Sequence, residues 1–123
     1  VNSLGRGWRA CAHVLRSYHR GVRAVRRRAH GDGAAAAQAA LDELLFALEV
    51  DLGARASAAG RSRMTEVEHS VLVPALEGVR ASLVRVPPAA PPSDWDAPLD
   101  AALVELRRAV PGLRPWCRGG RRR

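Results

Sequence analysis

The chain contains no lysine, and aromatic residues make up only 4% of it. β-Branched and aromatic residues, the types that favour sheets, are too scarce for an all-β fold. Cysteine is limited to Cys11 and Cys117, which lie far apart. No Cys-x-x-Cys pair and no Cys/His set with zinc spacing exists, which argues against a zinc module. The expected state of Cys11 is a buried free thiol; the alternative is a Cys11–Cys117 bridge tying the C-terminus to the first helix. No apolar run approaches the roughly 18 residues of a membrane span, so no membrane contact is expected. The N-terminus lacks the apolar segment and cleavage site of a secretory signal, and a cytoplasmic location is the expectation. The first residue is valine, as in a literally read GTG start or a fragment of a longer protein.

What is present is alanine, leucine and arginine. A chain of 123 residues, 47% of them hydrophobic, is long enough for one domain with its own core. A core of Ala and Leu calls for close helix–helix packing. All 20 basic residues are arginine and the net charge is +8. A GC-rich genome accounts for arginine in place of lysine, but not for where the arginines sit. Residues 1–30 hold eight arginines and no acid, whereas residues 32–60 hold five acids and only Arg55. Residues 114–123 hold another five arginines. Charge segregated in this way suits a nucleic acid or an acidic partner.

Periodicity and punctuation predict four helices. The first spans about Trp8 to Ala29, ended by His30-Gly31-Asp32-Gly33; Gly21 inside it marks either a weak point or close approach of another helix. The second spans about Ala34 to Ala59, with Leu41, Leu44, Leu45, Leu48 and Leu52 on one stripe and Phe46 and Val50 on another side. Apolar residues on two faces suggest a central helix or one that also meets a second chain. Gly60 is its expected stop. Thr65-Glu66-Val67-Glu68 fits a capping box opening the third helix, which Pro74 should kink or break. Five prolines (Pro87, Pro88, Pro91, Pro92 and Pro98) predict an extended linker over 86–98. Ser93 or Asp96 then caps a last helix from about Pro98 to Val110. The predicted fold is an all-α, compact up-and-down bundle of about four helices over 1–117, with a Pro-rich crossover before the last helix. An Arg/Gly-rich flexible tail is expected over 118–123.

Arg9, Arg16, Arg20, Arg23 and Arg27 follow one another at spacings of 7, 4, 3 and 4. On a helix they fall within roughly 40° of a common line about 27 Å long, opposite the apolar positions. Guanidinium groups grip phosphates in pairs of hydrogen bonds, so this ridge is the leading candidate site. Arg6, Arg26 and Arg28 flank it, and Arg61 and Arg63 form a basic loop expected near its starting end. The competing expectation is a solvated face neutralised by Asp42, Glu43, Glu49 and Asp51. Trp8, Trp95 and Trp116 are expected to pack at bundle ends rather than stack on bases. His19 and His30 are expected to be exposed on the flank of the first helix.

Catalytic and metal chemistry find little support. Glu66 and His69 supply one Glu-x-x-His motif, but a di-metal bundle needs two, and the first helix has no acid. There is no nucleophile elbow, phosphate loop or paired carboxylate. No enzyme activity, cofactor, metal or small-molecule substrate is expected. The expected role is a nucleic-acid-binding subunit of a larger nucleoprotein assembly, making sequence-independent backbone contacts, with other protein subunits or copies of itself as further partners. In size, architecture and charge, and in no motif, the chain is similar to the small helical subunits of CRISPR effector complexes, a likeness that implies support of a guide or displaced strand. The alternative role is a scaffold module, such as a phage or shell structural protein, whose ridge docks on an acidic protein surface.

Overall fold

In α1 (Trp8–Gly31) an apolar side chain turns inward every three or four positions: Cys11, Leu15, Tyr18, Val22, Val25 and Ala29 are all buried. That spacing makes one face of the helix a packing surface for the rest of the chain. The computed structural model describes residues 7–88 and 90–121, with side chains through Cys117. Gly33, at φ +97°, reverses the chain after α1 in a conformation that favours glycine, and α2 (Ala34–Ala56) follows at once.

The Ala-rich second helix ends earlier than its composition predicts. Ser57 is extended, and its hydroxyl accepts the Gly60 N–H at 3.0 Å, capping a short α3 (Ala58–Arg63). A serine able to satisfy an orphan N–H competes with continuation of the helix, so Gly60 lies inside α3 rather than stopping α2.

The capping box forms as read. Thr65 donates its backbone N–H to Glu68 Oε1 at 2.9 Å, and the Glu68 N–H returns to Thr65 Oγ1 at 3.3 Å. A π-helical turn (Glu68–Leu72) then runs directly into α4 (Val73–Leu83). Pro74 has no N–H to donate, and the ladder widens just ahead of it, with the Val73 N–H reaching the Glu68 carbonyl. The helix therefore continues through the proline without a break at Ser70.

The Pro-rich segment is not an extended linker. It closes in turns and in a 3-10 turn (Pro92–Trp95), with Trp95 buried and its Nε1–H donated to the Pro87 carbonyl at 3.0 Å. Burial of one large side chain draws the segment onto the end of the bundle. α5 (Asp96–Ala109) begins without a side-chain cap from Ser93 or Asp96; the Asp96 carboxylate instead faces His30 and Arg26 of α1. A 3-10 turn (Pro111–Leu113) leads into α6 (Arg114–Arg121), which carries the backbone of 118–121 as helix. Residues 122–123 of the expected tail, and Arg6, lie outside the described residues.

The result is an all-α bundle. The four long helices close in the order α1, α2, α4, α5, with α5 returning against α1, and their buried side chains form one core. α1 runs antiparallel to α2, with Tyr18 meeting Asp51 and Gly21 meeting Leu44, and antiparallel to α5, with Arg26 meeting Asp100 and His30 meeting Asp96. Gly21 marks close approach, since a Cβ there would lie 2.8 Å from Leu44 Cδ1. Trp8 and Trp116 pack against the core, and Trp95 is buried within it. Cys11 is buried and free, and Cys117 is free and half-buried. α2 is not central, because Phe46 (71% exposed) and Val50 (55%) stand on its outer face.

Candidate nucleic-acid interface

All five ridge arginines of α1 are exposed, on the side of the helix away from Leu15, Tyr18 and Val22. Arg9 lies over the Trp8 ring, 5.4 Å from its centroid, a favourable cation–π placement. Among the described residues, Arg16, Arg20, Arg23 and Arg27 form no ion pair. All acidic side chains of the chain fall within those residues.

Three of the four acids of α2 that could neutralise the ridge are held elsewhere, and the fourth, Glu43, lines the groove between α1 and α2. Asp51 accepts the Tyr18 hydroxyl at 2.6 Å and an Arg55 N–H at 2.7 Å. Glu49 pairs with Arg80 of α4 at 3.1 Å, and Asp42 accepts from Gln38 at 2.9 Å. Arg55 also reaches Glu68 at 3.2 Å, so one guanidinium gathers carboxylates from two helices. Burial works to raise the Glu68 carboxyl, but the Thr65 N–H and hydroxyl together with Arg55 outweigh it, and its pKa is lowered. Burial pushes the Tyr18 hydroxyl up, and Asp51 pushes it further. The Cys11 thiol is pushed up to about 11, first by burial and then by the Glu68 charge.

The other sequence candidates divide. Arg26 binds Asp100 at 2.5 Å and approaches Asp96 at 3.8 Å, and Arg28 approaches Asp32 at 3.8 Å. Both are thus partly neutralised on the flanks of the ridge. The 57–65 segment does lie at the starting end of α1, where Thr65 sits against Gly7. Arg61, however, donates to the Ala56 carbonyl and lines the groove between α2 and α4, across the bundle from the α1–α5 groove. Arg63 is exposed on α3.

Two residues beyond the sequence candidates join the ridge. Arg107 of α5 lines both stretches of the α1–α5 groove, one of about 590 Å³ beside Arg23 and Arg27, the other of about 580 Å³ beside Arg16 and Arg20. His19 lines both stretches as well. It is not the exposed flank residue that was expected: it is half-buried, and its Nε2 is enclosed with no hydrogen-bond partner in the protein. Burial lowers the His19 pKa, and the Arg107 and Arg23 charges lower it further. His30 is exposed, 2.8 Å from Asp96. The single sequence signal for Arg107 was its position next to the core residue Leu106, and only the antiparallel docking of α5 on α1 places it.

A larger groove of about 740 Å³ runs between α1 and α2, walled by alanines such as Ala36, Ala40 and Ala47. Among the described residues no three His, Cys, Asp or Glu side chains converge as metal ligands, and no helix is long and apolar enough to cross a membrane. The chain matches no family model, no curated protein and no solved structure.

Proposed function

We propose that this chain is a non-catalytic, cytoplasmic nucleic-acid-binding subunit of a larger nucleoprotein assembly, which grips the phosphate backbone through the arginine stripe of α1. The observation that carries this reading is the set Arg16, Arg20, Arg23 and Arg27, exposed along one helix line with no acid paired to it. Successive arginines rise by about 4.5–6 Å along the axis. Like charges so close destabilise a helix, and a polyanion relieves that cost. Contacts of this kind are independent of base sequence. The exposed Phe46 and Val50 on α2 favour a protein neighbour on a different face, as a subunit would have. The small-subunit position of a CRISPR effector is one that the size, helical architecture and charge fit.

The test is direct binding of labelled single- and double-stranded DNA and RNA near physiological salt. The wild type should bind, with affinity falling steeply as salt rises. The triple variant Arg16→Ala/Arg20→Ala/Arg23→Ala should lower the slope of log affinity against log salt by about 3. A wild type that binds none of the four, but is captured by an acidic protein surface, overturns the proposal in favour of a scaffold module.

A further inference from the structure

We propose that the groove between α1 and α5 is a phosphate subsite, in which Arg107 and His19 hold one backbone phosphodiester together with the ridge arginines beside them. This rests on the nucleic-acid reading and gives it a second helix and a defined position.

Three observations carry it. First, Arg107 brings a cation from α5 to the ridge, lining the groove on both sides of the point where it crosses α1. The charged groups facing His19 are Arg16, Arg20, Arg23, Arg26 and Arg27 on its own helix and Arg107 opposite, with His30 at the far end. No carboxylate lines either stretch. Asp96 and Asp100 of α5 pair with Arg26 and His30 at the far end of the groove, and Glu105 lies over Gly78 of α4. Arg16, Arg20, Arg23, Arg27 and Arg107 converge with no acid paired to them, and unpaired cations so gathered form a site for an anion.

Second, His19 Nε2 is enclosed at that convergence with no partner in the protein. Buried polar atoms are nearly always hydrogen-bonded, and an exception calls for an explanation. With the ring turned toward the groove, a phosphate oxygen would supply an acceptor for an N–H at that atom, which is shut off from solvent in the free protein. Third, the groove is open and extends past His19 in both directions. That shape suits a segment of a polymer rather than a small enclosed anion. In the free protein burial, and then the Arg107 and Arg23 charges, lower the His19 pKa. A bound phosphate opposes them, so binding should take up a proton and strengthen as pH falls through the histidine range.

The experiment compares Arg107→Ala and His19→Gln with Arg108→Ala, an exposed neighbour on α5 outside the groove. Binding of a labelled duplex is measured against salt and pH, and the His19 ring resonance is titrated with and without the duplex. Arg107→Ala should weaken binding about tenfold and lower the salt slope by about 1. His19→Gln should remove most of the pH dependence, Arg108→Ala should stay within about twofold, and the duplex should raise the His19 pKa. Equal effects of the 107 and 108 substitutions, or a His19 titration unmoved by the duplex, overturn the subsite while the ridge reading stands. A titration moved equally by millimolar inorganic phosphate overturns the assignment to a polymer backbone. A wild type that binds no nucleic acid overturns both.

Discussion

The Tyr18 hydroxyl of α1 donates to Asp51 of α2 across 2.6 Å, and Asp51 in turn holds Arg55, which reaches Glu68 at the start of the third long helix. A chain of polar contacts thus ties three helices together beside the buried Cys11. Within the acidic second helix, Asp51 is thus occupied by Arg55, and Glu49 is separately occupied by Arg80. Replacing Tyr18 with Phe removes one bond to a charged acceptor that Arg55 still satisfies. Urea melts should show a loss of about 1 kcal/mol.

Arg55→Ala should cost more. It leaves the half-buried carboxylates of Asp51 and Glu68 without their shared cation. Partial exposure moderates the penalty for a fully buried pair, and a loss of roughly 2–3 kcal/mol is expected in the same melts.

Acid should weaken the fold through Glu68, whose carboxyl is lowered in the folded chain. Its contribution is fully present above the unfolded carboxyl range, about pH 4.3, and is lost as pH falls through the lower folded value. Stability against urea at a series of pH values should decline there, and Glu68→Gln should flatten the decline.

The ridge should be a burden on the isolated protein. Arg16, Arg20 and Arg23 are mutually repelling neighbours at three- and four-residue spacings. Replacing all three with Ala should raise thermal stability, by up to about 1 kcal/mol at low salt, with the gain shrinking as salt is added. A large destabilisation instead would mean these side chains hold the bundle together.

Trp95→Ala should detach the proline-rich segment from the bundle. The side chain is among the largest of those fully buried, and it makes the bond to the Pro87 carbonyl. A loss of about 3–5 kcal/mol is expected, with faster amide exchange and proteolysis between Val84 and Asp96.

The helices were legible because their signals are local. The inward spacing of Leu15, Tyr18, Val22 and Val25 and the Thr65–Glu68 box act over one or two turns. The break at Ser57 was hidden by the uniformly high helix propensity around it. A tryptophan amid prolines says that something is anchored, but not that Trp95 folds back onto Pro87. The ridge was visible as a line on one helix. Arg107 and His19 were not, because their juxtaposition depends on which helix packs antiparallel to α1 and in what register. Likewise, the excess of acid over 32–60 reads as a neutralising partner only until Arg55 and Arg80 are seen to face it.

The segregation of charge has a kinetic consequence. Bare guanidiniums line the outer face of α1, while Asp42, Glu43, Glu66 and Glu77 are exposed on the helices that follow. Against the proposed polyanion this separation of charge would turn the molecule before contact, so that encounters would arrive already oriented. Orientation at a distance accelerates association far more than it slows release. Salt should accordingly act first on the on-rate, fading over the range where the Debye length shrinks to about 10 Å.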